Sequence, residues 1–358
     1  MQSNFRVLAI NPGSTSTKVA VYDDKELLLE EVVRYSSTEL APFDSIIEQQ
    51  EFRKNGVLSI LADKGIVLTS LSAVVGRGGL LKPIAGGTYA VNSTMIEDLG
   101  LAARGEHASN LGGILAKEIA DKLGIPAFIV DPVVVDELSA IARVTGLPGC
   151  ERMSLFHALN QKAVGRVVSQ EIGKSYEETN LIVAHLGGGI SVGVHQGGRI
   201  IDVNNALYGE GPFTPERAGG MPTGDIIEFC FSGKYTQDEI KKLLVGKGGL
   251  VACLGTNDGR EVVNRIKAGD SKAKLVYEAM AYQIAKEIAA GAAVLFGHVD
   301  AIVITGGLAY DTMLVNWITE RISFIGDVRV IPGENEMIAL VEGALRVLTG
   351  EEEAKEYC

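Results

Sequence analysis

Cysteine, tryptophan and net positive charge are what this chain has least of. Its four cysteines, Cys150, Cys230, Cys253 and Cys358, show no CxxC spacing, which fits reduced thiols in the cytosol better than a disulfide or zinc framework. Lys and Arg total 33 against 45 Asp and Glu, and the net charge of −12 argues against holding a nucleic-acid backbone or an anionic membrane by bulk field. Any anionic ligand must therefore be held by local groups. Long apolar runs are missing too: the most apolar helical stretch is broken by Lys286 and Glu287, and no basic region followed by an apolar core opens the chain. Neither a membrane span nor a signal peptide is indicated, so a cytoplasmic location is expected. Two familiar phosphate signatures are also lacking. The segment from Gly13 to Lys18 has no second glycine before the lysine, as a Walker loop requires, and no GxGxxG opens a helix after a strand, which disfavours P-loop and Rossmann folds.

What is present is apolar content and alternation. At 358 residues the chain exceeds the length over which one core usually keeps growing, and 46% hydrophobic residues suffice for two. "RVLAIN" and "TKVAVYD" read as strands around the turn Asn11 to Thr17, and "SAVVGRGG" is a buried-strand run ending in glycines. "NLGGILAKEIADKLG" puts Leu111, Leu115 and Ile119 on one helical face, with Gly124 as its stop, and "IPAFIVD" is another strand. "NLIVAHLGGGISVGVHQGGRIID" reads as strand, glycine turn, strand and hairpin turn. Val276, Met280, Ile284 and Ile288 recur at helical spacing, and "DAIVITGGLAYD" is a continuous apolar strand running into Gly306 and Gly307. The class is α/β with mixed sheets. "LAINPGSTSTKVAVYDDKE" and "IVAHLGGGISVGVHQGGR" share strand, small-residue turn, strand and second turn, the pattern of two related halves facing each other with a ligand between them.

Both turns suit phosphate. Glycine and short hydroxyl residues let main-chain N–H groups approach closely, and Ser or Thr adds donors, although either turn alone is better explained as a tight β-turn. "IVITGG" adds a strand end where a flat base and ribose could lie against backbone. Together "AINPGSTSTKVAVYD", "VVGRGG", "GEHASNLGG", "FHALNQKA", "AHLGGGISVGVHQGGRIID", "FTPERAGGMPTGD" and "VITGGLAYD" resemble the butyrate kinase branch of the acetate kinase family, over about Val7 to Ala344. That family lies within the sugar kinase, heat-shock chaperone and actin superfamily. The resemblance implies a two-lobed actin-like (ribonuclease H-like) fold of duplicated domains with mixed sheets. It implies conversion of a short carboxylic acid and ATP into an acyl phosphate and ADP, with Mg²⁺ as cofactor.

An ionised carboxylate needs no general base, so this chemistry asks for cationic and N–H donors that offset the repulsion of two anions and the charge on the transferring phosphoryl group. By resemblance, Arg77 is the substrate and transition-state arginine, and its guanidinium suits bidentate contact with carboxylate or phosphate. His157 corresponds to the histidine that donates to the phosphoryl group in flight. His107 falls on a substrate-side position and His185 on a phosphate-side one. His195 and His298 read as satisfied structural residues. For the metal, Asp131 matches the family aspartate at a strand end, while a residue shift leaves Glu334 and Glu336 as alternatives for a magnesium-linked glutamate. Nucleotide contacts are expected from Asn11, Ser14, Thr15, Lys18, His185, Gly187, Gly188, Gly189, Asp258, Arg260, Gly306 and Gly307.

Two departures stand out. Gly188 replaces an asparagine of the acetate kinases, and "GGMPTGD" has Pro222 or Thr223 where they carry a second active-site arginine. Arg217 in "TPERAGG" is the candidate for the missing charge. These departures move the expected substrate from acetate toward butyrate, with acetate, propionate and branched acids such as isobutyrate as alternatives. Leu80, Val133 to Val135 and Phe213 are candidates for pocket walls, and each equally fits a core. A nucleotide-driven regulatory switch of the same superfamily is the alternative from another class. The first lobe is expected at about 1–152 with 342–358, the second at about 153–341, closing on the ligands. A homodimer or an assembly of dimers is expected, and "GEEEAKEYC" reads as a solvated helix terminus.

Overall fold

The computed structural model describes residues 4–358, which divide into two compact units, 4–135 with 335–358, and 136–334. Both boundaries fall earlier in the chain than the expected 152/153 and 341/342. The first unit contains a six-stranded sheet of β1 (Arg6–Pro12), β2 (Ser16–Asp23), β3 (Glu26–Arg34), β4 (Ala73–Arg77), β5 (Thr88–Ala90) and β6 (Ala127–Val130), in the order β3-β2-β1-β4-β6-β5. The second contains β7 (Asn180–Leu186), β8 (Ile190–Gln196), β9 (Arg199–Val203), β10 (Ala301–Gly306) and β11 (Val328–Pro332), in the order β11-β10-β7-β8-β9.

The two sheets repeat one plan. In each, three strands run as an antiparallel meander, β1-β2-β3 and β7-β8-β9, and the first of them continues into parallel neighbours, β4 and β6 or β10 and β11. The first strands are buried on both faces, as expected where helices cover a sheet, and Val7 to Ile10 and Leu181 to Ala184 are inaccessible to solvent. Duplication is thus a property of the topology, and the α/β class with two mixed sheets holds.

Helices cover both sheets. The Asn110–Leu123 helix buries Leu111, Leu115 and Ile119 and ends at Gly124 with φ 67°, the left-handed stop that glycine supplies at least cost. Its start meets β4 backbone to backbone: a Cβ at Gly76 would overlap the Gly112 carbonyl, and one at Gly112 would overlap that of Arg77. This contact requires glycine in both "VVGRGG" and "NLGG". In the second unit the Ser271–Val294 helix buries Met280, Ile284 and Ile288.

Two elements differ from expectation. β3 was not legible as a strand because no residue of ELLLEEVVR is fully buried, and only Leu29 and Val33 pack in part against the core. The C-terminal segment is not a solvated helix terminus. Lys355 N–H donates to Thr88 at 2.8 Å, extending β5, and Tyr357 is buried among first-unit core residues with its hydroxyl donating to Asp98 at 2.7 Å. The charged neighbours are tied down as well: Glu352 accepts from Thr88 N–H at 2.8 Å and pairs with Arg346 at 2.7 Å, and Lys355 Nζ donates to the Gly86 carbonyl. Of the residues expected to fit either a pocket wall or a core, Val134 and Val135 belong to the buried interior, whereas Leu80 and Val133 are only partly covered.

Candidate active site

In the first unit the parallel strands β1, β4 and β6 deliver their C-terminal ends to one edge, where open α/β sheets carry ligands. Ile10 pairs with Gly76, and Arg77 with Val130, so Asn11, Arg77 and Asp131 leave three neighbouring strands together. The carboxylate of Glu336, at the start of the Glu336–Leu348 helix, ties two of them: Oε1 accepts from the Arg77 guanidinium and Oε2 from Asn11 Nδ2 at 2.7 Å. Arg77 retains 16% of its side-chain exposure. It is held, oriented and still reachable.

Around this group the backbone is fixed by specific contacts. Asn110 Oδ1 accepts from Leu80 N–H at 2.9 Å and closes the glycine turn after Arg77. His107 Nδ1 accepts from the backbone N–H of Ser109 at 3.2 Å, which places the ring proton on Nε2. Desolvation and the neighbouring Arg77 charge both hold this imidazole below its ordinary pKa, so it is neutral. Asp131 has φ +38° immediately before Pro132, a conformation that costs about 1–3 kcal/mol and is kept because Gly87 N–H donates to its Oδ1 at 2.7 Å while Asp131 N–H donates back to Gly87.

The first turn owes its shape to a residue the sequence reading did not single out. Arg53, inaccessible to solvent, donates to the carbonyls of Gly13 at 2.7 Å, Ser16 at 3.0 Å and Ser14 at 2.9 Å, and to Gln49 Oε1 at 2.9 Å. Tyr35 N–H takes the Thr15 carbonyl. With its carbonyls drawn inward, the turn presents Ser14 and Thr15 to solvent. The signal was available: Gln49, Arg53, Val57 and Leu61 recur every four residues, which puts a charged group on a core-facing stripe. Lys18 is engaged elsewhere, paired with Glu30 on β3 at 3.0 Å.

In the second unit, β7 ends at His185 and Leu186, and its turn Gly187 to Gly189 leads into β8. His157, capping the start of the Ala158–Glu171 helix, stacks on His185 with ring centroids 3.8 Å apart and planes within 10°. Asn160 Nδ2 donates to the Glu334 carbonyl at 2.8 Å, so its Oδ1 must accept from His185 Nδ1, 2.7 Å away. His185 Nε2 lies 4.0 Å from the Glu334 carboxylate. Glu334 and Glu336, alternatives in the sequence, thus serve different units, Glu334 beside His185 and Glu336 beside Arg77.

Arg217 sits against the glycine turn: a Cβ at Gly189 would overlap its guanidinium, which donates to the Ala206 carbonyl. Burial lowers its pKa, and Glu216 opposes the shift. Thr214 Oγ1 donates to the Gly188 carbonyl at 2.6 Å, so the "TPER" segment braces the turn. Gly306 has φ +90°, and a Cβ there would overlap Leu186, whereas a Cβ at Gly307 would meet nothing. Open space therefore flanks the end of β10. Asp258 and Arg260 pair with each other at 2.8 Å at the start of the Gly259–Lys267 helix, and the Arg260 side chain is 91% exposed. Phe213 is partly buried against the second core.

Two sheets of this topology, each carrying a small-residue turn after its first strand, give the fold of the acetate kinases and of the actin-like sugar kinases. The chain superposes on Porphyromonas gingivalis acetate kinase with a TM-score of 0.77 at 20% identity, covering 96% of this chain and 100% of that one. A propionate kinase from Francisella tularensis gives 0.73 at 20% identity, with 95% and 98% covered. A ROK hexokinase from Thermus thermophilus gives 0.51 at 14%, with 97% and 100% covered. Residues 150–336 match the acetate kinase model described as the Acetokinase family, and the chain belongs to that family. It is accordingly a carboxylate kinase, a phosphotransferase with ATP or ADP as its nucleotide.

Proposed function

We propose that the protein interconverts butyrate and ATP with butyryl phosphate and ADP, accepting branched short acids such as isobutyrate and discriminating against acetate. The observation that carries the carboxylate reading is the Arg77 guanidinium, held by Glu336, still partly exposed and close to His107, which together offer donors for an anion. A carboxylate oxygen attacks the γ-phosphorus in line, the bond to the β-phosphate oxygen breaks, and no proton need move. Arg77 orients the acid and spreads the charge of the transferring group. His157 donates to the phosphoryl oxygens, and the helix it caps places its positive end there.

Nucleotide phosphates are assigned to the two glycine turns, through Asn11, Ser14 and Thr15 in one and Gly187 to Gly189 with His185 in the other. Arg217 supplies the second positive charge of that site. The adenosine is assigned to the Gly306–Gly307 and Asn257–Gly259 surfaces, which meet where Gly259 approaches Leu308 and Tyr277. For Mg²⁺, Asp131 at the end of β6 and Glu336 at the start of its helix offer hard carboxylate oxygens in the first unit, Glu334 being the alternative glutamate; among the described residues no cluster of three metal-binding side chains occurs. When bound, the ion neutralises phosphate charge. Gly188 and the absence of an arginine before Gly224–Asp225 support butyrate over acetate. We also read the protein as a cytoplasmic homodimer or assembly of dimers, without nucleic-acid or membrane partners, in keeping with its charge of −12 and with the lack, among the described residues, of a helix long and apolar enough to cross a membrane.

The test is hydroxylamine trapping with ATP, Mg²⁺ and a panel from acetate to valerate, isobutyrate included. One methylene is worth about 0.8 kcal/mol, so butyrate should exceed acetate in kcat/KM by roughly 10-fold or more. Preference for acetate would reject butyrate, and phosphate release without hydroxamate would reject acyl phosphate formation altogether.

A further inference from the structure

We infer that Tyr176, His195, Gln161 and Ser191 form a hydrogen-bond chain that fixes His157 as its Nε2–H tautomer, so that this histidine presents an N–H donor at the reacting phosphoryl group. The role of that donor rests on the function proposed above; the tautomer does not. The chain can be read in direction because one link is unambiguous. Gln161 Nε2 lies 3.0 Å from the Ser191 carbonyl, which can only accept, so the amide orientation is fixed. The same NH₂ group donates to Ser191 Oγ at 2.8 Å. On its other side Gln161 Oε1 must accept from His195 Nε2 at 3.2 Å, which leaves His195 Nδ1 to accept from the Tyr176 hydroxyl at 2.8 Å. His195 is inaccessible to solvent and flanked by Lys162 and Arg166, and both burial and their charges keep it neutral, as this assignment requires.

Ser191 is equally buried, and its hydroxyl proton needs an acceptor. His157 Nδ1 lies 3.0 Å from Ser191 Oγ. It accepts that proton, and in the neutral ring Nε2 carries the N–H. His185 has the opposite assignment, Nδ1–H, through Asn160. The two stacked rings are therefore oriented by two separate networks, with Nδ1 accepting in His157 and donating in His185.

The backbone makes room for this chain. A Cβ at Gly193 on β8 would overlap Gln161 Oε1, and a Cβ at Gly165 would lie 2.9 Å from the Tyr176 ring and 3.3 Å from His195 Nδ1. Glycine inside a helix costs about 1 kcal/mol relative to alanine, and at Gly165 it admits the Tyr176–His195 contact. Ser191, Gln161 and His195 are thus positioning residues that act through His157.

Long-range ¹H–¹⁵N correlation on histidine-labelled protein tests the assignment, with His157 identified by loss of its signals in His157→Gln. Wild type should show an unprotonated Nδ1 and a protonated Nε2 at His157. Ser191→Ala should mix the tautomers and lower kcat about 10- to 100-fold with KM for both substrates within about twofold, the scale of a lost proton-positioning contact. Ser191→Thr, which restores the hydroxyl, should recover both signals and rate. A wild-type Nδ1–H tautomer overturns the inference even if neither Ser191 variant folds, as does a Ser191→Ala protein with unchanged spectrum and kcat. If no carboxylic acid is phosphorylated while the Nε2–H signal is present, the proposed activity fails and the chain stands.

Discussion

Arg53 offers the strongest test of how the fold builds the first turn. Arg53→Lys keeps the charge but replaces a planar fork with three donors on one nitrogen, which cannot reach Gly13, Ser14, Ser16 and Gln49 together. Two or more charge-assisted hydrogen bonds, each worth about 1.5–3 kcal/mol, are lost, and water reaching the partly exposed Gly13 and Ser14 carbonyls offsets part of this, so the net cost is about 2–4 kcal/mol. For a unit of this size that lowers the melting temperature by about 4–16 °C. Hydrogen exchange read separately for the two units should place the loss in 4–135 and leave the region of Trp317, the sole tryptophan, near wild type. KM for ATP should rise about tenfold, roughly 1.4 kcal/mol of binding, while KM for the acid changes little. A variant that melts with wild type and binds ATP equally well would refute the claim that Arg53 shapes a phosphate-binding turn.

Two further perturbations follow from the second unit. Gly189→Ala meets the far end of a flexible Arg217 side chain, so it should cost less than about 1 kcal/mol in stability yet lower kcat/KM for ATP about 10- to 100-fold, as Arg217→Ala also should; unchanged kinetics in Arg217→Ala would remove that residue from the site. His195, buried neutral with its pKa well below 6.5, binds a proton only when unfolded as pH drops beneath that value. The unfolded state then holds more protons, so stability, complete above pH 6.5, should fall by up to about 1.4 kcal/mol per pH unit below it, and His195→Gln should flatten the slope in denaturation followed by Trp317 fluorescence.

Much of the fold was written locally. Where both faces of a strand or one stripe of a helix must be apolar, as in β1, β7, β10 and the Asn110–Leu123 helix, the period of the residues states the element directly, and Gly124 states its end. The glycine turns and their flanking strands were visible as a repeat, and the sheets bear out that repeat in their strand order. β3 escaped because an edge strand facing solvent need not carry a strong pattern, and the C-terminal segment misled because buried Tyr357 and the long-range partners of Glu352 and Lys355 decide its path.

Residue types near the candidate site were legible, but their partners were not. The sequence by itself set the α/β class, the duplicated turns, and which arginines, histidines and acids could serve an anionic reaction. Only the tertiary structure decided that Glu336 holds Arg77 while Glu334 faces His185, that Arg53 reaches into the first turn, and that Arg217 lies on Gly189. The reason is physical: periodicity reports which side of an element is buried, whereas a hydrogen bond between residues 259 positions apart, as from Arg77 to Glu336, depends on where whole strands and helices end in space.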